Sequence, residues 1–222
     1  MVLASFPTGP WQANCYLLSR DGVRCVVVDP GVDDAAPVER WLADHSLTLE
    51  GVLLTHGHLD HVASAAAVAD AHGVPAWLHE ADRELLTDHG FGPQVDALLA
   101  QFGVRLAEPA DLRLLSGGEC VEVAGMSFDV VHAPGHRPGC VLFRLRAEPG
   151  EAELVFTGDV VFAGSIGRTD LPGGDHAAML ATLSGVVLGL PDAASLLPGH
   201  GERTTMARER ATNPYLQDAY LR

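Results

Sequence analysis

Four side chains that commonly bind metal ions fall close together in one short segment, THGHLDH at 55–61. In an extended backbone His56 and His58 point to the same side, because side chains alternate along a strand, so both can bind one metal ion. Asp60 and His61 begin the next helix and point elsewhere, which suits a second ion bound by a carboxylate and an imidazole. The spacing therefore predicts two metal ions that lie close to each other.

Three more candidate ligands follow apolar runs elsewhere in the chain. His136 comes just after SFDVVH, Asp159 after ELVF, and His200 after the apolar part of ASLLPG. In an α/β fold the carboxyl ends of strands gather at one edge of a sheet, where ligand sites tend to form. We therefore expect one site at the rim of the sheets, built from His56, His58, Asp60, His61, His136, Asp159 and His200. The other histidines lack this placement: we expect surface or capping roles for His45, His72, His79, His89 and His176, and a structural role for His132.

Short runs rich in Val and Leu alternate with Ala-rich stretches of helical period, which is typical of a layered α/β fold. The predicted strands are 14–19, 24–28, 51–54, 76–79, 120–123, 127–132, 140–145, 153–156 and 194–197. The predicted helices are 35–45, 60–72, 81–89, 93–101 and 175–187, with Asp175 as an N-cap, followed by a C-terminal piece interrupted at Pro214. We expect a single domain, 1–222, whose two halves, 1–106 and 107–222, have similar numbers of elements.

Composition and charge exclude several classes of function. Hydrophobic residues make up 47% of the 222 residues, enough for a substantial core. The net charge of −15 repels nucleic acid and anionic lipid, so we expect neither as a partner. All 14 basic residues are Arg, which excludes Schiff-base lysines and P-loops. No apolar run approaches the roughly 18 residues of a membrane span.

The four cysteines are far apart and form no C-x-x-C pair, which predicts reduced thiols in a cytoplasmic protein. Cys140 lies near His136 in sequence, so a reactive thiol is one interpretation. A small buried strand residue is the interpretation we favour.

The motif set THGHLDH, PGH, TGD and a late PGHG resembles that of the metallo-β-lactamase superfamily. The resemblance extends from NCYLL at 14–18, through VVVDPG at 26–31, to TNPYL at 212–216. The stretches GSIGRTDLPGGD at 164–175 and PGHGERTT at 198–205 are similar to the short bacterial branch of hydroxyacylglutathione hydrolases, which are glyoxalase II-like thioester hydrolases. The resemblance implies an αββα sandwich, with two facing mixed β-sheets, helices outside and a dinuclear metal site at the rim.

The resemblance also implies a role for each ligand. His56, His58 and His136 would bind the first ion, Asp60, His61 and His200 the second, and Asp159 would bridge both. Asp29, in VVVDPG, would be a supporting hydrogen-bonding residue outside the ligand set. Full-length glyoxalase II enzymes have an additional C-terminal helical domain that binds much of glutathione. Only 22 residues follow His200, so we expect no such domain, and the thiol carrier stays open.

The chemistry expected from this site is hydrolysis of a thioester such as S-lactoylglutathione. Two divalent ions lower the pKa of water from 15.7 to about 7, so a metal-bound hydroxide can attack without a protein nucleophile. Asp60 and Asp159 are the candidate catalytic residues, because they would position metal and hydroxide. The ions would leave the site slightly positive, which favours a small anionic substrate. Arg168 and Arg137 are candidates for binding a substrate carboxylate, with solvent exposure as the alternative for Arg137.

Several alternatives remain open from the sequence. Zinc is the expected ion, but imidazole and carboxylate ligands suit iron and manganese as well. Persulfide dioxygenases, which use a single iron at the first site, resemble this sequence too, including a GRTD segment. Lactone or β-lactam hydrolysis could use the same site, as could a non-catalytic metal-binding protein. The sequence does not indicate an oligomeric state.

Overall fold

The computed structural model describes residues 1–33 and 35–221, which form two six-stranded mixed sheets. The first sheet contains, in spatial order, β1 (Val2–Thr8), β2 (Ala13–Ser19), β3 (Arg24–Val28), β4 (Thr48–Leu53), β5 (Ala76–His79) and β6 (Leu112–Leu115). Its first three strands are antiparallel and β3 to β6 are parallel. The second sheet consists of β7 (Cys120–Val123), β8 (Met126–His132), β9 (Val141–Leu145), β10 (Leu154–Gly158), β13 (Ser195–Pro198) and β14 (Thr204–Thr205). Its spatial order is β14-β13-β10-β9-β8-β7, and β10 and β13 are parallel.

Helices cover the outer faces of both sheets. They are α1 (Ala36–His45), α2 (Leu59–Val62), α3 (Ala65–His72), α4 (Pro93–Gln101), α5 (His176–Gly185), α6 (Met206–Thr212) and α7 (Asp218–Leu221). Three 3-10 helices occur at Glu80–Leu86, Val187–Gly189 and Pro214–Leu216, and a short hairpin is formed by β11 (Val161–Phe162) and β12 (Ser165–Ile166). Among the described residues no helix is long and apolar enough to cross a lipid bilayer.

Alternation of side chains explains the layering. Leu18 of the first sheet and Phe143 and Phe156 of the second belong to one buried cluster, which lies between the sheets. The neighbouring Leu17 faces the other way and packs in a separate cluster with Val38 of α1. Burial of each large apolar side chain contributes about 1.5–3 kcal/mol, so both faces of each sheet must be covered. The expected αββα sandwich of two mixed sheets is thus confirmed.

Most of the predicted elements are present, with three departures. The helix expected at 60–72 is two helices, because the backbone N–H of Ser64 donates to the carbonyl of Gly31, 2.9 Å away, where the helix is interrupted. The helix expected at 81–89 is the 3-10 helix Glu80–Leu86. The strands β1, β6, β11, β12 and β14 were not predicted; β1 contains Pro7, which an edge strand tolerates. The side chain of Asp175 caps α5 as expected, by accepting from the N–H of Ala178.

Candidate metal centre

The strand directions bring the predicted ligands to one rim. β3 and β4 are parallel, β10 and β13 are parallel, and β8 is separated from β10 by one antiparallel strand, so it runs in the same direction as β10. The chain leaves the carboxyl ends of these strands just before the predicted site residues. The structure brings all seven candidate ligands together, in three overlapping trios whose ligand atoms lie within 4.8 Å of one another: His56, His58 and His136; His56, His61 and Asp159; Asp60, His61 and His200.

Three imidazoles, those of His56, His58 and His136, form what we call the first cluster. Nδ1 of His58 lies 2.8 Å from Nε2 of His136, and the ring of His56 lies 5.0 Å from each of the other two rings. All three side chains are buried. Burial lowers the pKa of His56, and the neighbouring imidazoles lower it further. For the same reasons the pKa of His58 falls to about 3. The imidazoles of His56 and His58 are therefore neutral at pH 7, which is the form that binds a metal ion.

The second cluster contains Asp60, His61 and His200. Oδ2 of Asp60 lies 3.2 Å from Nε2 of His200 and 3.7 Å from Nε2 of His61. Burial lowers the pKa of His61, but the carboxylates of Asp60, Asp159 and Asp29 outweigh burial and raise it to about 10. Burial raises the pKa of Asp60, but the imidazoles of His61 and His200 outweigh it and hold this pKa well below its usual range. The second cluster is therefore a charged site, unlike the first.

Asp159 lies between the two clusters. Its Oδ2 is 3.5 Å from Nε2 of His136 in the first cluster and 3.5 Å from Nε2 of His200 in the second. Its Oδ1 is 3.4 Å from Nε2 of His61. One carboxylate thus reaches ligand atoms of both clusters, which is the position that a bridging ligand needs.

Hydrogen bonds on the far side of the rings set the tautomers of the imidazoles. Nδ1 of His61 donates to Oδ2 of Asp29 over 2.9 Å, since a carboxylate only accepts. The same oxygen accepts from Oγ1 of Thr55, which in turn lies 3.1 Å from Nδ1 of His56. Nδ1 of His136 donates to the carbonyl of Arg168 over 2.7 Å. These bonds leave Nε2 of His56, His61 and His136 facing the site, as in metal centres whose ligands are oriented from behind.

The donor atoms fit a metal ion because several of them make no hydrogen bond. Nε2 of His56, Nε2 of His61 and Oδ1 of Asp159 are buried and make no hydrogen bond. An unpaired buried polar atom is costly in a folded protein, and a cation between these atoms would remove that cost. Imidazole and carboxylate donors around two adjacent points form a candidate dinuclear site.

Asp82 is a site residue that the sequence analysis missed. It is fully buried and accepts from the backbone N–H of Gly57, 2.8 Å away, and of Gly139, 3.1 Å away. It therefore joins the loop that carries His56 and His58 to the loop that carries His136. Both glycines are required, because a Cβ at Gly57 would lie 2.8 Å from Asp82 Cβ and one at Gly139 would lie 2.6 Å from Asp82 Cγ.

A sequence signal for Asp82 did exist. Asp82 precedes Leu85 and Leu86 by three and four residues, a spacing that would put all three on one face of the α-helix predicted at 81–89, and both leucines are buried. A carboxylate on an apolar face indicates a buried partner.

The two arginine candidates lie in different surroundings. Arg137 is buried, so the solvent-exposed alternative is wrong. Its Nε lies 3.4 Å from Oδ1 of Asp82, and its guanidinium donates to the carbonyl of Pro172. Arg168 is exposed and forms a two-point ion pair with Asp170, at 2.6 and 2.8 Å. Both guanidinium groups therefore already have carboxylate neighbours.

The remaining histidines and the cysteines contribute no further ligand trio among the described residues. His79 and His89 are buried rather than on the surface, and each caps a backbone N–H two residues on. His132 donates to the carbonyl of Pro138, in keeping with a structural role. The cysteines are free, and burial raises the pKa of Cys140 well above its usual value, which fits the interpretation as a small buried residue rather than a reactive thiol.

The fold and the rim of His and Asp ligands define a class of metal-dependent hydrolases. A family model of the metallo-beta-lactamase superfamily matches residues 8–200, and the chain belongs to that superfamily. Among its relatives is the hydroxyacylglutathione hydrolase GloC of Haemophilus influenzae, 34% identical over 97% of this chain and 98% of the relative.

Two solved structures are similar along nearly the whole chain. The BLEG-1 B3 metallo-beta-lactamase has a TM-score of 0.85 and 38% identity, and covers 97% of this chain and 100% of its own. TTHA1623, solved in a di-iron-bound form, has a TM-score of 0.78 and 36% identity, and covers 96% of this chain and 100% of its own. The suspected glyoxalase II-like relationship is consistent with these matches.

Proposed function

We propose that this chain is a dinuclear-metal hydrolase that cleaves thioesters. The observation that carries the proposal is the position of Asp159, whose oxygens lie 3.4–3.5 Å from ligand nitrogens of both clusters. Such a carboxylate favours two ions over one. The relationship to GloC, described as a hydroxyacylglutathione hydrolase, supports a thioester as the substrate.

Two divalent ions, when bound, supply Lewis acidity and lower the pKa of a water molecule toward about 7. The chain's own residues hold the geometry. Asp29 accepts from Nδ1 of His61, and the carbonyl of Arg168 accepts from Nδ1 of His136, so both Nε2 atoms stay directed at the site. Asp60 and Asp159 balance the positive charge. The leaving thiol has a pKa near 8.5, so it can depart as thiolate without a protein acid.

Zinc is the ion that we propose, because neutral imidazoles and carboxylates suit it. TTHA1623 has been solved with two irons, so iron is the alternative to test. Metal analysis also tests the single-iron persulfide dioxygenase: one iron per chain with oxygen uptake would support that enzyme instead. Cytoplasmic location, a small-molecule substrate and a single domain remain parts of this proposal.

β-Lactam hydrolysis is the second candidate function. It is favoured by the 38% identity to BLEG-1, described as a B3 metallo-beta-lactamase. The same two clusters could activate water for attack on a strained amide. A penicillin and a cephalosporin therefore belong in the same assay.

The test is turnover by purified protein whose metal content has been measured. S-lactoylglutathione, the acetyl thioester of N-acetylcysteamine, a penicillin and a cephalosporin are compared at equal enzyme concentration. We expect two ions per chain and thiol release from the thioesters, with kcat/KM for them above that for either lactam. Thiol release no faster than in the metal-stripped protein would reject thioester hydrolysis.

A further inference from the structure

A cavity of about 550 Å³ opens over the two clusters and is mostly apolar above its metal-ligand floor. The floor is formed by His58, Asp60, His136, Asp159 and His200. The walls carry Trp11, Leu59, Phe91, Phe162, Ile166 and Leu171. This volume is within the usual range for pockets that bind small molecules, about 300–1,000 Å³.

One phenylalanine ring lies beside each cluster, Phe91 near the first and Phe162 near the second, and contacts with other residues hold both rings in place. The ring of Phe91 lies 6.4 Å from that of His58, and His89 stacks on it at 5.9 Å while accepting from the N–H of Phe91. On the other side the ring of Phe162 lies edge-on, 6.1 Å from that of His200.

The hairpin that carries Phe162 is tied to the helix behind it. The side chain of Asn213, which is buried, donates to the carbonyls of Phe162 and Ser165 over 3.3 and 3.0 Å. The N–H of Gly164 donates to Glu209 over 2.7 Å. These hydrogen bonds hold the half-buried ring of Phe162 in place in the cavity wall.

Charge in the cavity does not favour a substrate with several carboxylates. Among the described residues that line it, Arg168 is the only Arg or Lys, and its guanidinium is paired with Asp170 at 2.6 and 2.8 Å. Arg137 lines a neighbouring pocket and lies against Asp82. Asp60 and Asp159 belong to the metal-ligand floor, where they would offset the charge of bound ions. Glutathione carries two carboxylates, for which this cavity offers no unpaired guanidinium.

We infer that the substrate is a thioester with an uncharged apolar acyl group, aromatic or alkyl, on a thiol carrier without carboxylates. The inference rests on the proposed thioester hydrolysis and names the substrate class of that site. In the reaction the oxygen of water bonds to the acyl carbon and the C–S bond breaks with its electron pair on sulfur. The products are the carboxylate, the thiol and one proton.

Four thioesters separate the acyl group from the carrier: phenylacetyl and lactoyl groups, each on N-acetylcysteamine and on glutathione. We expect kcat/KM for phenylacetyl-N-acetylcysteamine to exceed that for S-lactoylglutathione by about tenfold or more, since contacts with an apolar pocket discriminate on this scale. Phe91→Ala and Phe162→Ala should each lower kcat/KM for the phenylacetyl substrates by about five- to tenfold, mainly through KM, and change lactoyl turnover less than about twofold. Leu114→Ala removes an exposed apolar side chain that does not line the cavity, and we expect it to leave all four rates unchanged.

Binding gives a readout that does not depend on turnover. Thioether analogues, in which a CH2 group replaces the carbonyl, cannot be hydrolysed. Their affinities are measured by calorimetry on the wild-type protein and on Phe91→Ala. We expect the phenethyl thioether of N-acetylcysteamine to bind more tightly than the hydroxypropyl thioether of glutathione, and Phe91→Ala to remove most of the difference.

The possible failures are distinguishable. Cleavage of all four thioesters with S-lactoylglutathione preferred, and equal effects of the Phe variants on every substrate, would overturn the apolar substrate class while the hydrolase stands. Tighter, Phe91-dependent binding of the apolar analogue without any cleavage would overturn thioester hydrolysis while the apolar ligand class stands.

Discussion

The two ligand clusters share one rim but differ in charge and exposure. The first consists of buried imidazoles, and the pKa of His58 there is lowered to about 3. The second contains a carboxylate, the pKa of His61 there is raised to about 10, and the side chain of His200 is 29% exposed. His56 and His58 are thus ready to bind a cation at neutral pH, whereas His61 in the second cluster must first release a proton. Neighbouring sites that share the segment 55–61 can therefore differ in metal affinity, exchange and pH response.

The largest expected effect comes from the residue that the clusters share. Asp159→Asn removes the carboxylate charge next to ligand atoms of both clusters, so we expect loss of metal from both and a fall in kcat of about 10³-fold, comparable to the loss of a principal electrostatic group. Metal per chain and thioester turnover are measured together. Asp129→Asn is the matched control, because Asp129 lies on β8 outside the site and forms an ion pair with Arg146. Wild-type metal content in Asp159→Asn would contradict the shared position.

His200→Ala should separate the clusters. His200 contacts Asp60 and Asp159 but belongs to no trio of the first cluster, so we expect one ion per chain to remain bound and kcat to fall about 10²-fold. His176→Ala serves as the control, since His176 is exposed at the start of α5. Loss of both ions in His200→Ala would mean that the clusters bind metal only as a unit.

The sequence predicted the metal ligands better than the residues that hold those ligands in position. Metal ligands come in recognisable residue types after apolar runs, so THGHLDH and the three later residues could be found without a structure. Asp29 was expected through the family resemblance, and its contact with His61 agrees. The spacing of Asp82 from Leu85 and Leu86 indicated a buried carboxylate, but its partners, the N–H groups of Gly57 and Gly139, are 25 and 57 residues away and could not be identified from the sequence.

The fold shows the same division. Strands with continuous Val and Leu runs, such as Arg24–Val28, were predicted at their observed bounds. The edge strand β1 and the two-residue strand β14 were not, since partners rather than local composition define them. The break at Ser64 likewise depends on a contact with Gly31, which is distant in sequence.

Asp82 offers a test specific to the first cluster, because it is a positioning residue that joins the two loops carrying His56, His58 and His136. Asp82→Asn replaces one accepting oxygen by a donor, so one loop N–H loses its partner. We expect metal affinity of the first cluster to fall by about 10- to 100-fold, the usual cost of losing an outer hydrogen bond, while the second cluster changes less. Competition with a chelator measures both affinities. A uniform loss at both clusters, or a lower thermal midpoint with unchanged affinities, would assign Asp82 a purely structural role.

The pH dependence of metal binding gives the finest comparison. The pKa of His61 is raised to about 10 in the metal-free protein, so its imidazole is protonated at pH 7 and must lose that proton to bind an ion. The pKa of His56 is lowered, and that of His58 is about 3, so both are already neutral and contribute no such proton. Apparent affinity of the second cluster should therefore rise by about tenfold or more per pH unit between pH 6 and 8, because His61 releases one proton and the hydrogen bond with Asp60 raises the pKa of His200 against the effect of burial. The apparent affinity of the first cluster should depend less steeply on pH, because His56 and His58 release no proton. Calorimetric titrations in buffers of different ionisation enthalpy count the protons released at each step. Equal proton release at the two steps would show that the clusters do not differ in charge in the way that their side chains predict.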